Sequence, residues 1–200
     1  MHLMNAKLKK ARGLDMATII NIFQRCIEPA YVLKRENAFW VIEESNQNTR
    51  NPKLLVNGSG IFGFSLDAKT MPAPAWKFIQ SSTLPGLCSV CDGIFVTSMD
   101  SIDYFIAIDL KSTNTNGATK QLATSLHLCN WFYKVLNLHG HLIKDVKFAG
   151  VISKINIRRQ PTKKTSVRKT IPNPTFHYDY PIFTLENFDK ISLTDICKKI

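Results

Sequence analysis

Asp92, Asp109 and Lys111 sit at the ends of two short apolar runs, residues 91–98 and 102–111, in a chain that is otherwise strongly basic. Two carboxylates and an ammonium group brought together by neighbouring strands can hold a divalent cation and direct water at a phosphodiester. Mg2+ prefers oxygen ligands, keeps several waters and is usually held by one or two carboxylates, a pair that Asp92 and Asp109 can supply. Such an ion polarises a phosphoryl oxygen and makes a bound water more acidic. Lys111, next but one after Asp109, could orient that water or stabilise charge developing on the phosphate.

The elements that must position these groups are read from periodicity. Residues 92–97 and 102–110 are rich in Ile, Phe, Val and Tyr and are separated by Ser98, Met99, Asp100 and Ser101, which predicts an antiparallel hairpin. Side chains repeat every two residues along a strand, so Asp109 and Lys111 share a face with Phe105 and Ala107. A turn near Asp100 sets Asp92 roughly opposite Asp109. Residues 117–138 then carry Ala118, Leu122, Leu126, Cys129, Phe132, Tyr133 and Leu136 at spacings of three and four, which predicts a helix ending before Gly140. Gln121, one turn into that helix, could reach the same end of the sheet. Residues 146–153 read as another strand.

Upstream, residues 14–27 repeat apolar side chains at helical spacing until Pro29, predicting a first amphipathic helix. The cluster 39–42 has no assigned type, residues 45–51 read as a loop, and the apolar residues after Gly60 predict a strand. Pro72, Pro74 and Pro85 make 71–86 a loop or short helix.

Asp92, the triplet Asp109-Leu110-Lys111 and the helical Gln121-Leu122 together resemble the PD-(D/E)XK nuclease superfamily. The resemblance covers about residues 61–153. It implies an α/β (α+β) fold with a restriction-endonuclease-like core, a central mixed sheet flanked by helices. The core order would be a helix, three antiparallel-connected strands, a crossover helix and a further strand. It also implies Mg2+-dependent cleavage of phosphodiesters, with Mn2+ as a substitute. Asp92 and Asp109 would be metal ligands, Lys111 the catalytic lysine and Gln121 an auxiliary catalytic residue. Cys91 stands where the family name records a proline, and Asp109 replaces the commoner glutamate. An upstream glutamate often completes such sites; Glu44 is taken as the third metal ligand, with Glu43 and Glu28 as the other candidates, and nothing in the sequence selects among them.

Composition frames the partner. A chain of 200 residues with 44% hydrophobic content fits one domain, with a core over about 14–153 and a basic arm and C-terminal tail over 154–200. The 26 Lys and Arg against 15 Asp and Glu give a formal charge of +11, which calls for a polyanionic partner. No apolar run approaches the ~20 residues that span a bilayer, so nucleic acid, DNA before RNA, is expected rather than membrane. No apolar stretch with signal-peptide features opens the chain, and five scattered cysteines fit a reducing compartment, so a cytoplasmic protein is expected. Lys147, Lys154, Arg158, Arg159, Lys163, Lys164, Arg168 and Lys169 occur with no acidic residue between Val146 and Tyr178. Of these, Arg158, Arg159, Lys163, Lys164, Arg168 and Lys169 are the expected phosphate contacts, which would hold a backbone without reading bases.

Two further clusters have plain readings. Cys88 and Cys91 have the spacing of a zinc half-site, but no second pair follows at the usual interval and His139-Gly140-His141 is too tightly spaced to complete one. Both thiols are expected to be packed beside the strand. Phe176, Tyr178, Tyr180 and Phe183 are expected to be an aromatic tail packed on the domain, with base stacking as the alternative. Three functions follow: an endonuclease, in a restriction or antiphage-defence setting; a non-catalytic nucleic-acid-binding protein; or the nuclease subunit of a larger complex. A homodimer is compatible with the first.

Overall fold

The computed structural model describes residues 18–43, 53–67, 86, 88–112, 115–141, 144–154 and 169–200. In chain order these form α1 (Ile19–Cys26), a single 3-10 turn (Pro29–Tyr31), β1 (Arg35–Glu36), β2 (Phe39–Glu43), β3 (Lys53–Asn57) and β4 (Ile61–Phe64). Then follow β5 (Gly93–Met99), β6 (Ile102–Lys111), α2 (Ala118–Leu138), β7 (Val146–Lys154), β8 (Thr175–His177), β9 (Tyr180–Glu186), β10 (Lys190–Ser192) and α3 (Leu193–Cys197). The fold is α+β. A central six-stranded mixed sheet in the order β4-β5-β6-β7-β9-β8 is flanked by helices, and a second sheet is ordered β1-β2-β3-β10.

The centre of the fold is the β5–β6 hairpin. Its ladder runs from Met99↔Ile102 at the turn to Gly93↔Ile108 at the open end. Asp100 and Ser101 form the two-residue turn with φ values of 52° and 65°. Positive φ at both central positions is the type I′ geometry, whose twist matches that of the flanking strands. β4 pairs antiparallel with β5, and α2 carries the chain across to β7, which pairs parallel with β6. α1, the antiparallel β4, β5 and β6, the crossover helix α2 and β7 thus follow one another in the expected order, with β1–β3 inserted between α1 and β4.

Alternation divides the sheet into two faces. Phe105 and Phe148 are stacked on one face, and Phe23 of α1 meets both Phe105 and Phe132 of α2, so α1 and α2 lie on that same face. Gly150 lets α2 approach closely, because a Cβ there would lie 3.1 Å from Leu122. The other face carries Phe95, Ile106 and Ile108, all fully buried. Ile42 of β2 fills the space beside Gly93 on this side, which brings the small sheet against the hairpin.

The C-terminal region differs from its expected role as arm and tail. β9 enters the central sheet parallel to β7 and buries Ile182, Phe183 and Leu185, while β10 pairs parallel with β3. The packed core thus continues well past Ser153. Parallel partners come from distant chain segments, so local pattern carries little sign of them. Tyr180 and Phe183 are buried as a packed tail would require, whereas Phe176 and Tyr178 are exposed. The first helix is described from Ile19, and the earlier residues of the 14–27 expectation lie outside the described residues, as does most of the proline-rich 71–86.

Asp103 locks the turn end of the hairpin. Its Oδ1 accepts from Ser98 Oγ across the strands, its backbone N–H donates to Asp145 O at 2.9 Å, and Lys144 Nζ stands 4.0 Å away. Burial pushes the Asp103 carboxyl above the ordinary carboxylate range, with the Ser98 hydrogen bond and the Lys144 charge acting against it. The native state therefore binds this proton more tightly than the unfolded chain. The associated stability is present below about pH 3.9, the ordinary Asp value, and is lost as pH rises through the higher native value. Denaturant unfolding of wild type and Asp103→Asn across that range should show the wild type losing stability relative to the variant as pH rises. Parallel pH profiles for the two proteins would contradict this account.

Candidate active site

The site lies at the open end of the hairpin. Extending the ladder one step beyond Gly93↔Ile108 sets Asp92 across from Asp109, as the turn position predicts. The backbone N–H of Leu110 donates to Asp92 Oδ2 at 2.5 Å, so the aspartate on one strand closes the ladder of the other. Asp109 is fully buried. Its Oδ2 is 2.9 Å from Lys111 Nζ, and that ammonium also donates to Gln121 Oε1 at 2.8 Å. A carboxylate withdrawn from water requires a close opposite charge, and Lys111 supplies it.

Gln121 is held by the start of α2. Gly117 takes the N-cap position with φ of 81°, and its carbonyl accepts from the Gln121 N–H at 3.0 Å. Ser125, one turn further, accepts from the backbone N–H of Cys91 at 2.9 Å and donates to Gln121 O at 2.9 Å. One hydroxyl thus ties the residue before Asp92 to the helical turn that carries Gln121. Sequence reasoning missed Ser125. Its available signal was a serine within the buried stripe of Leu122, Leu126 and Cys129.

Cys91 reports the local field. Burial pushes its thiol up to about 12; the Ser125 hydrogen bond opposes this, and the negative charges of Asp109 and Asp92 add to it. Both carboxylates therefore act on the same atom, and the thiol stays protonated near neutral pH. Its Sγ donates to Gly93 O at 3.3 Å. Cys88 is half-buried, so the two thiols are packed to different degrees beside the strand.

Asp92 and Asp109 offer oxygen donors of the kind a hard divalent cation takes, and the Cys91 thiol beside them is protonated near neutral pH. Among the described residues no group of three His, Cys, Asp or Glu side chains is placed to hold a metal. Glu28 and Glu43 are exposed and do not join the two aspartates in such a group. Glu44 lies outside the described residues.

Arg158, Arg159, Lys163, Lys164 and Arg168 also lie outside the described residues. The two ends of their segment are described and meet at one point. Asn187 N–H donates to Lys154 O at 2.8 Å, and Lys169 Nζ donates to Asn187 O while standing 5.3 Å over the Phe188 ring. Lys169, expected to contact phosphate, is thus engaged by the protein. Lys154 pairs in register with Lys111, so the basic segment leaves and returns at the edge that carries the site.

Comparison with protein-family models, curated proteins and solved structures finds no match to this chain. The physical arrangement therefore carries the functional reading. Its dependence on Ser125 is measurable, since Ser125→Ala leaves the buried Cys91 N–H without this acceptor. Loss of about 1–3 kcal/mol is expected in denaturant unfolding. A variant as stable as wild type would show that the bridge does not hold strand and helix together.

Proposed function

We propose that this protein is a divalent-metal-dependent endonuclease hydrolysing phosphodiester bonds, with DNA as its first substrate. The observation that carries the reading is the convergence of Asp92, Asp109, Lys111 and Gln121 at one end of adjacent strands and the helix that follows. The PD-(D/E)XK-like motif and the helix, meander, crossover and strand order support it. So do the formal charge of +11 and the return of the basic segment to this edge.

In this reading Asp92 and Asp109 hold Mg2+ or Mn2+. The ion supplies polarisation of a phosphoryl oxygen and a more acidic water at the site. The protein's own groups do the rest. Lys111, fixed from two sides by Asp109 and Gln121, presents its ammonium to charge that develops on the phosphate. A donor held in place beforehand needs no reorganisation when that charge appears. Gln121 keeps Lys111 oriented and has its amide N–H2 available to the substrate. Basic residues of 155–168 neutralise the polymer backbone, so affinity falls as salt rises. A restriction or antiphage-defence setting, cytoplasmic location, and action as a homodimer or within a larger complex belong to the same proposal.

Supercoiled plasmid, linear DNA and RNA incubated with Mg2+, Mn2+ or EDTA provide the test. Wild type should cut in either metal and stop in EDTA. Asp109→Ala and Lys111→Ala should each lower the rate about 100-fold or more while keeping affinity for nucleic acid. Cleavage by Asp109→Ala equal to wild type would overturn the site assignment. Binding without cleavage by the metal-loaded wild type would leave a nucleic-acid-binding protein in place of an enzyme.

A further inference from the structure

The central sheet continues the site one strand beyond the residues assigned so far. β6 and β7 pair Lys111 with Lys154, and β7 and β9 pair Lys154 with Glu186. Cross-strand partners project from the same face, so Lys111, Lys154 and Glu186 form a row across three parallel strands. Asp109 lies on that face, two residues before Lys111. Lys154 Nζ is 3.0 Å from Glu186 Oε1, with side-chain exposures of 26% and 39%. The two ammonium groups differ in a useful way. Lys111 is held between Asp109 and Gln121, whereas Lys154 is held by a carboxylate at the solvent edge.

An ion pair that both partners keep partly in solvent contributes little to folding. Exchanging Glu186 for a ligand oxygen on Lys154 is correspondingly inexpensive. The backbone beneath is fixed, because Asn187 N–H donates to Lys154 O at 2.8 Å and Asn187 takes φ of 59°, a left-handed conformation that asparagine adopts more readily than most residues. Lys154 is therefore a partly exposed cation on a rigid strand end, side by side with the lysine of the site.

The geometry points to Lys154 as a second phosphate contact of the same site, taking the backbone phosphate next to the one at Asp92, Asp109 and Lys111, with Glu186 as the carboxylate that the phosphate oxygen replaces. This rests on the reading of the protein as a nuclease. The ligand class is a polynucleotide strand spanning both lysines, so a mononucleotide diester would engage the first position and forgo the second. Lys154 acts on binding, and its removal should raise KM while leaving kcat within about twofold of wild type.

The test is binding of a fluorescent DNA duplex across a salt series, in EDTA, by wild type, Lys154→Met, Lys154→Arg, Glu186→Gln and Lys134→Met. Lys134 is exposed on α2 and controls for the loss of one positive charge elsewhere. Lys154→Met should bind several-fold more weakly and reduce the slope of log affinity against log salt by about 1, the loss expected for one phosphate contact. Lys154→Arg should keep the slope, Lys134→Met should match wild type, and Glu186→Gln should bind at least as tightly as wild type. Thermal melting of each variant checks that the fold is intact, and KM and kcat for cleavage in Mg2+ complete the comparison. If wild type binds duplex and Lys154→Met keeps its slope and KM, the second contact is overturned while the nuclease reading stands. If wild type neither binds nor cuts DNA or RNA, the nuclease reading itself has failed.

Discussion

The register of the β5–β6 hairpin is the constraint on which the rest depends. A tight turn at Asp100 and Ser101 leaves no slack between the strands, and each rung then follows to Gly93↔Ile108. A slip of one residue would turn every side chain of a strand to the opposite face. Asp109 would then face the small sheet instead of α2, and Asp92 would lose the Leu110 N–H. The fully buried Ile94, Val96 and Phe105 on one face and Ile106 and Ile108 on the other oppose such a slip, because it would set each side chain against the packing partners of the opposite face. Core packing thus places the two carboxylates.

Charge at the open end needs separate support. A fully buried Asp109 with Lys111 beside it loses hydration that apolar residues in the same place would not lose, so such a pair is weak evidence for stability. Its partners are specific: Gln121 holds Lys111 from the far side, and Ser125 holds the turn of Gln121 against Cys91. The result is a polar network spanning two strands and a helix at the margin of an apolar core. A network of that kind on rigid elements suits chemistry that requires fixed groups.

Much of the site was legible because its parts lie close in sequence and on regular elements. Strand alternation put Asp109 and Lys111 on one face, the turn at Asp100 set Asp92 opposite, and the apolar stripe of α2 located Gln121. Ser125 was not legible as a bridge, because a serine in a helix has the same spacing whether it faces solvent or a strand. Lys154 was read as part of a charge run; only the parallel register with β6 reveals its place beside Lys111. β9 and β10 were hidden for the same reason, since each joins a sheet through a partner far away in the chain. The small strands β1 and β3 are short, and one of them carries exposed charges throughout, which leaves little periodicity to read.

The central claim is that Asp92 and Asp109 form one cation site. Anomalous scattering from crystals of the wild-type protein soaked in Mn2+ tests it most directly. The account predicts a metal peak bonded to carboxylate oxygens of both Asp92 and Asp109, and its absence from Asp109→Asn crystals treated alike. A peak bound elsewhere, or the same peak retained without the Asp109 carboxylate, would contradict it.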